Sequence, residues 1–212
     1  MNNTTIQALN WRYATKAFDT SKKLTDEQLS IITEALRLSA SSFGLQPWKF
    51  VVVTDPEVRK QLREVAWGQP QITDASHLIV LSVRTDVDAS FVDKFVQSVA
   101  DTRGLPLEAL KEYSDMMKGS IASRPNEEAV KEWSSRQVYI PLGTALLAAA
   151  ENQIDACPME GFDNAKFDEI LGLKAHNAES RVLLALGFRS PEDATANYKK
   201  VRFPESEVFI KI

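Results

Sequence analysis

Four short segments gather the residue types that bind ligands or do chemistry. Arg12-Tyr13-Ala14-Thr15-Lys16 places two cations four residues apart at the expected end of a helix. Both could face a phosphate through charge-assisted hydrogen bonds; equally, they could be a solvated turn that complements a helix C-terminus. Ser41-Ser42-Phe43-Gly44-Leu45-Gln46-Pro47-Trp48-Lys49-Phe50 sets small hydroxyls, a glycine and an amide between a helix and a strand. Such loops on rigid elements are common binding sites. Gln46 could donate to a polar ring edge and Trp48 could wall a pocket, or the stretch is a plain connection with Trp48 in the core. Pro158-Met159-Glu160-Gly161-Phe162-Asp163 joins a strand to a helix capped by Asp163. Gly161 permits close approach to a flat ligand, although an ordinary tight turn has the same composition. In Lys199-Lys200-Val201-Arg202-Phe203-Pro204, an extended backbone points Lys200 and Arg202 to one side. A solvated basic tail explains that segment when it is taken alone.

Familiar catalytic patterns are missing. No G-x-G-x-x-G follows a strand and there is no P-loop, so the usual dinucleotide and nucleoside-triphosphate fingerprints are absent. There is no G-x-S-x-G nucleophile elbow. His77 opens a buried strand and reads as structural; His176 falls in a polar loop and is expected to be exposed. Cys157 reads as a small buried hydrophobe rather than a nucleophile.

The elements that must position these segments follow from periodicity and caps. Thr4 to Trp11 forms a first helix and Ala17 to Lys23 a polar connection. Thr25-Asp26-Glu27-Gln28 is a capping box, and Leu29, Ile32, Ala35 and Leu36 carry its helix to about Leu38. Strands are expected at Lys49–Thr54, His77–Val83, Ile154–Cys157 and Arg181–Gly187. Asp55 and Pro56 begin a helix between the first two. Val87–Arg103, Pro106–Lys118 and Glu127–Asn152 read as helices, the last bending near Pro141. Ser120 to Asn126 is a polar break, and Asp163–Leu171 is a short helix ended by Gly172. The result is an α+β chain with more helix than strand, a mixed or antiparallel sheet covered by helices. From Pro191 the chain turns irregular and polar until Val208-Phe209-Ile210. Such a tail must dock on something, and a partner subunit is the natural candidate.

Composition narrows the classes. The 212 residues suit one domain with a C-terminal arm of about 191–212. Net charge is −4, so no global basic excess supports nucleic-acid binding. The single cysteine allows no internal disulfide and fits a reducing, cytoplasmic setting. Val138–Ala150, the most apolar stretch, is shorter than the roughly 20 residues a membrane span requires. No membrane or nucleic-acid partner and no metal site is expected.

The order and spacing of the segments are more specific than any one of them. Arg-x-x-Thr-Lys-x-Phe-Asp, Ser-Ser-x-x-x-Gln-Pro-Trp-x-Phe, Asp-Ala-Ser-His, Gln-Val-Tyr, Pro-x-Glu-Gly-Phe-Asp and Lys-x-Arg-x-Pro run from Arg12 to the residues around Arg202. Together they resemble the NAD(P)H-dependent nitroreductases that use flavin mononucleotide (FMN), closest to the oxygen-insensitive nitroreductase and dihydropteridine reductase branch.

The resemblance implies an α+β nitroreductase-like fold in an intertwined homodimer, with two FMN sites at the interface. It implies hydride transfer from NADH or NADPH through FMN to nitroaromatic, quinone or related small acceptors, with ping-pong kinetics. By that resemblance Arg12 and Lys16, with Lys200 and Arg202, hold the phosphate and flavin edge, and Tyr13 and Ala14 follow the same strip. Ser41, Ser42 and Gly44 reach the flavin from the other subunit, and Gln46 lies near the ribityl chain or ring. Pro158, Met159, Glu160 and Gly161 line one flavin face, with the Glu160–Gly161 backbone near the reactive N5. No side chain is assigned as catalytic, because the cofactor carries the chemistry.

Two departures stand out. Gly68-Gln69-Pro70-Gln71 replaces the family's usual asparagine and lysine, so Gln71 supplies an amide for a cation and Gln69 becomes a candidate ring contact. Around the expected lid helix, Lys111-Glu112-Tyr113-Ser114 offers only Tyr113 as an aromatic. Phe43 and Tyr113 are therefore the substrate-facing candidates. The alternatives are a narrower quinone, pteridine or enone reductase, and a flavin-binding protein without turnover. No sequence fingerprint separates NADH from NADPH.

Overall fold

The computed structural model describes residues 4–212. Its centre is a four-stranded sheet of β1 (Trp48–Val53), β2 (His77–Arg84), β3 (Asp155–Met159) and β4 (Ala178–Gly187) in the order β1-β2-β4-β3. Every ladder is antiparallel. The only parallel pairing among the described residues is the isolated bridge between Ala14 and Ala156. β1 and β3 are the edges, and the outer side of β1 pairs with no strand among the described residues.

Alternation along β2 explains the layers. Leu78 and Val80 face one side, packing with Leu183, Ala185, Cys157 and Met159 under α3 (Pro56–Glu64), α4 (Gln71–Asp74) and α8 (Asn164–Ile170). Ile79, Leu81 and Val83 face the other side, under α2 (Asp26–Arg37) and α7 (Glu127–Glu151). A strand covered on both faces loses its polar alternation, which is why Leu78-Ile79-Val80-Leu81 of β2 is continuously apolar and even Ser82 after it is buried. Leu78, Ile79 and Leu81 are fully buried, each worth about 1.5–3 kcal/mol of hydrophobic stabilisation. A third cluster forms a separate lobe, with Val92, Val96 and Ala100 of α5 (Ala89–Arg103) against Met117 and Ile121 of α6 (Lys111–Ala122).

Local signals act as the sequence predicts. Thr25 accepts from the Gln28 amide while Gln28 reaches back to Thr25, closing the capping box. Asp55 and Asp163 cap α3 and α8, and Gly172 follows α8 in a left-handed conformation. α7 runs unbroken through Pro141.

Several boundaries differ. β3 extends through Pro158 and Met159, so those residues belong to a strand rather than to the turn. Proline is tolerated there because β3 is an edge. β4 begins at Ala178 rather than Arg181. The stretch expected as one helix from Pro106 splits into a 3-10 turn at Leu107–Leu110 and α6, which continues to Ala122. The short helices α4 and α9 (Glu205–Val208) lack the length that periodicity needs to register. Among the described residues no helix is long and apolar enough to cross a membrane.

Candidate functional site

The two ends of the chain meet beside β3. α1 (Thr4–Trp11) delivers the strip Arg12–Lys16, which lies along β3 through the Ala14–Ala156 bridge and the Thr15 N–H donating to the Ala156 carbonyl at 3.3 Å. The C-terminal segment returns to the same place. Arg12, Tyr13, Ala14, Tyr198, Lys200 and Arg202 line a cavity of about 400 Å³, within the size range of ligand pockets. The Lys200 ammonium donates to the carbonyls of Leu9, at 2.7 Å, and Arg12. It thereby satisfies acceptors left free at the end of α1.

This cavity has unbalanced charge. Among the described residues, none of Arg12, Lys16, Lys200 and Arg202 forms an ion pair. Burial, then Arg202, pushes the Arg12 guanidinium down; burial, then Arg12 and Arg202, pushes the Lys200 ammonium down. The Arg12 Nε is buried without a hydrogen-bond partner. Converging cations with an orphaned donor fit an anion of several oxygens, and a phosphate meets that need.

From the cavity the strip continues along β3. Burial pushes the Cys157 thiol up and outweighs the opposing influence of Lys16, Gln71 and Arg12, which favour the thiolate. Cys157 is thus the buried hydrophobe expected from the sequence. Gln71 is buried, and its Oε1 has no partner. Beyond Met159, the Gln69 amide donates to the Gly161 carbonyl at 2.6 Å. The glycine lets the Trp67 ring lie close against it, because a Cβ at Gly161 would force that ring to shift. Trp67 is 77% exposed at a backbone φ of 56°, a strained conformation for a bulky residue. Glu160 is fixed from α7, where the Tyr139 hydroxyl donates to its Oε1 at 2.5 Å; burial, then that contact, pushes the Tyr139 hydroxyl up to about 12.

The second group of predicted residues lies elsewhere. Ser41, Ser42, Phe43, Gly44 and Gln46 precede β1, at the opposite edge of the sheet. Three strand spacings of about 4.8 Å separate the edges, roughly 14 Å. Gln46 donates to the Arg37 carbonyl at 3.0 Å and lines a different cavity with Trp48, Phe91 and Phe95. Trp48 therefore satisfies both expectations, being buried in the core and part of a pocket wall. The Ser42 amide donates to Gln137 Oε1 of α7 at 2.8 Å. Phe43, at φ 59°, is tied to α6 by the Tyr113 hydroxyl, which donates to its carbonyl at 2.8 Å. Phe43 and Tyr113 also meet edge to face at 6.5 Å. Within one chain, then, Arg12, Tyr13, Ala14, Lys16, Gln69, Gln71, Pro158, Met159, Glu160, Gly161, Lys200 and Arg202 gather at the β3 edge of the sheet. The 41–46 loop and Tyr113 do not join them.

Sequence reasoning missed Trp67, Asp193 and Arg189. Trp67 precedes Gly68-Gln69-Pro70, and an aromatic entering a glycine-proline turn was the available signal. Asp193, two residues before Thr195, has the spacing of a turn cap. Arg189 stacks on Trp11 and Tyr13 and pairs with Asp155, contacts that no local pattern announces.

Comparison with known proteins identifies the family and the fold. The sequence profile of the Nitroreductase family matches residues 9–188. A protein of Staphylococcus epidermidis named as an NAD(P)H nitroreductase is 37% identical over 215 residues, covering 98% of this chain and 96% of its own length. Among solved structures, ydfN of Bacillus subtilis, named as a nitroreductase, superposes with a TM-score of 0.87 at 21% identity, covering 98% of each chain. A nitroreductase of Exiguobacterium sibiricum, solved in complex with FMN, gives a TM-score of 0.83 at 22% identity, covering 98% of this chain and 97% of its own. The chain belongs to the nitroreductase family of oxidoreductases, and its fold is theirs.

Proposed function

We propose that the protein is an FMN-dependent oxidoreductase that passes hydride from NADH or NADPH to nitroaromatic, quinone or related small acceptors. The observation that carries this reading is the unpaired cluster of Arg12, Lys200 and Arg202 around one cavity, in a chain whose relatives are NAD(P)H nitroreductases by name. When bound, FMN supplies two-electron chemistry between donor and acceptor.

The chain's own groups bind and orient. Arg12, Lys200 and Arg202 hold the phosphate. Lys16 and Gln71 face the ring edge above Cys157, where Lys16 offers a positive charge and Gln71 only a neutral dipole. The Gly161 backbone, locked by Gln69, lies against the ring, and Trp67 shelters that place from water. Donor and acceptor use the same opening in turn, so ping-pong kinetics are expected.

The working unit in this reading is a homodimer. Residues 41–46 of one copy face the cofactor held by the other, and the C-terminal arm of each copy docks on its partner. Support comes from the unpaired edge of β1 and from the arm's exposed Phe203, Val208, Phe209 and Ile210. The deciding experiment is the visible spectrum of the purified protein, followed by initial rates at varied donor and acceptor. Bound-flavin absorbance and parallel double-reciprocal lines are expected. A protein that stays colourless after incubation with FMN overturns the proposal.

A further inference from the structure

Asp193 is a carboxylate buried where the electrostatics of the site would not ask for one. It is 3% exposed and lies where the C-terminal segment leaves the sheet. Its Oδ2 accepts three hydrogen bonds from the N-terminal strip: Tyr13 Oη at 2.9 Å, the Lys16 amide at 2.8 Å and the Ala17 amide at 3.1 Å. Its Oδ1 accepts two from its own segment, the Thr195 amide at 3.0 Å and the Thr195 hydroxyl at 2.5 Å. The Tyr13 ring is gripped from its other side by the Arg189 guanidinium, 4.6 Å from the ring centroid, and Arg189 is anchored to Asp155 at 2.6 Å.

One carboxylate therefore staples residues 13–17 to residues 193–195. The cations that line the cavity flank the staple on each arm: Arg12 is adjacent on one, and Lys199, Lys200 and Arg202 follow four to seven residues after Thr195 on the other. Taken as a charge alone, Asp193 opposes an anionic ligand, because it lowers the local positive potential. Taken as a fastener, it fixes two strips that repel one another before the ligand arrives, and preorganised donors bind an anion more tightly than mobile ones. Five donors on its two oxygens neutralise much of its charge, so the opposing effect is small.

We propose that Asp193 is a positioning residue for the phosphate of the cofactor, aligning Arg12 with Lys200 and Arg202 without touching the ligand. The inference rests on the reading that these three cations hold that phosphate. The two roles predict opposite signs. Asp193→Asn keeps the shape, removes the charge and turns an amide NH₂ toward donors on one side or the other. If Asp193 acts only as a counter-charge, that variant binds FMN more tightly. If it acts as a fastener, the variant binds FMN more weakly.

The test titrates full-length Asp193→Asn with FMN and, separately, with riboflavin, which lacks the phosphate, and records the thermal midpoint of each protein. We expect FMN affinity to fall about tenfold or more, the scale of one or two lost charge-assisted hydrogen bonds, with riboflavin affinity changed less than about twofold. Unchanged or tighter FMN binding overturns the proposal. So does an equal loss for both flavins, which would mark a general loss of structure. If Asp193→Asn fails to fold, Tyr13→Phe and Thr195→Val each remove one arm of the staple. Smaller, FMN-specific losses that are non-additive in the double variant are then expected, and additive losses common to both flavins overturn the idea. A wild-type protein that binds FMN no better than riboflavin would instead refute the phosphate site itself, whatever Asp193 does.

Discussion

The two edges of the sheet are built by different means. At the β3 edge, segments from opposite ends of the chain are drawn together by polar contacts: the Asp193 staple, the Arg189–Asp155 pair and the Lys200 bonds to the end of α1. At the β1 edge, the 41–46 loop leans on an apolar lobe of α5 and α6, and the strand beside it is open. The first edge gathers polar and charged groups from both ends of one chain. The second presents the 41–46 loop and Tyr113, away from that group within the same chain. On the proposed reading, the difference means that the cofactor site is half complete in a single copy, with its retention and its substrate selection separable.

The sharpest way to break that contrast is to remove the cations of the first edge. Lys200→Ala combined with Arg202→Ala should weaken FMN binding by about 100-fold or more, taking roughly 1.5–3 kcal/mol per lost charged contact. The dimer should survive, as checked by flavin absorbance after gel filtration and by sedimentation. Retained flavin would move the phosphate elsewhere. Next in size is the reverse experiment, on the proposed contact between copies. Phe209→Asp with Ile210→Asp should weaken dimerisation by about tenfold or more, because each change sets a charge in the buried interface proposed for residues now 63% and 90% exposed. Sedimentation across a dilution series checks it, and an unchanged dimer would deny the arm its role.

A smaller effect tests whether the lobe governs substrate alone. Tyr113→Phe releases the Phe43 carbonyl, a bond worth about 0.5–1.5 kcal/mol. The acceptor KM should shift several-fold while FMN affinity holds; a parallel loss of FMN would merge the two regions. The smallest effect is a pH signature. Lys200 is pushed below 10.5 in the fold by burial, Arg12 and Arg202. The unfolded chain then binds the extra proton, so the Lys200 contribution to the stability of the flavin-free protein should grow slightly as pH rises toward 10.5. It is read as the difference between wild type and Lys200→Met, because Tyr13 and Tyr139, raised to about 12 in the fold, lose stability over the same range. FMN affinity should fall over the same interval as the ammonium loses its charge. Thermal melts and FMN titrations across that range check the opposed signs, and Lys200→Met should abolish both trends.

How much of this was legible depended on whether the cause was local. The Thr25 box, the Asp55-Pro56 start and the Asp163 cap were readable because donor and acceptor lie within a few residues. The buried runs in β2 and β4 were readable because burial on both faces leaves an uninterrupted apolar stretch. The cations at the two ends were ambiguous until the order of the intervening motifs joined them. Asp193 could not be found in this way, since its partners Tyr13, Lys16 and Ala17 lie 176 to 180 residues away. Trp67 escaped because its strained backbone and its cover over Gly161 are tertiary facts. The end of β3 was misplaced because Pro158 argues for a turn, and only its position at a sheet edge makes it a strand residue.

That proline has a consequence for how copies of the chain can associate. Pro158 has no N–H to offer, and the Arg12–Lys16 strip already crosses the strand beside it at Ala156. Further strands cannot easily be templated on that side, whereas the outer side of β1, which pairs with no strand among the described residues, offers backbone amides and carbonyls for pairing. A sheet that can grow in one direction only cannot elongate from both edges into a fibre. Reciprocal pairing of two copies would use up the single sticky edge of each and close the assembly. The vulnerable species is then a copy whose β1 edge stays bare, during synthesis or after loss of a partner's arm, and aggregation should rise in that form first.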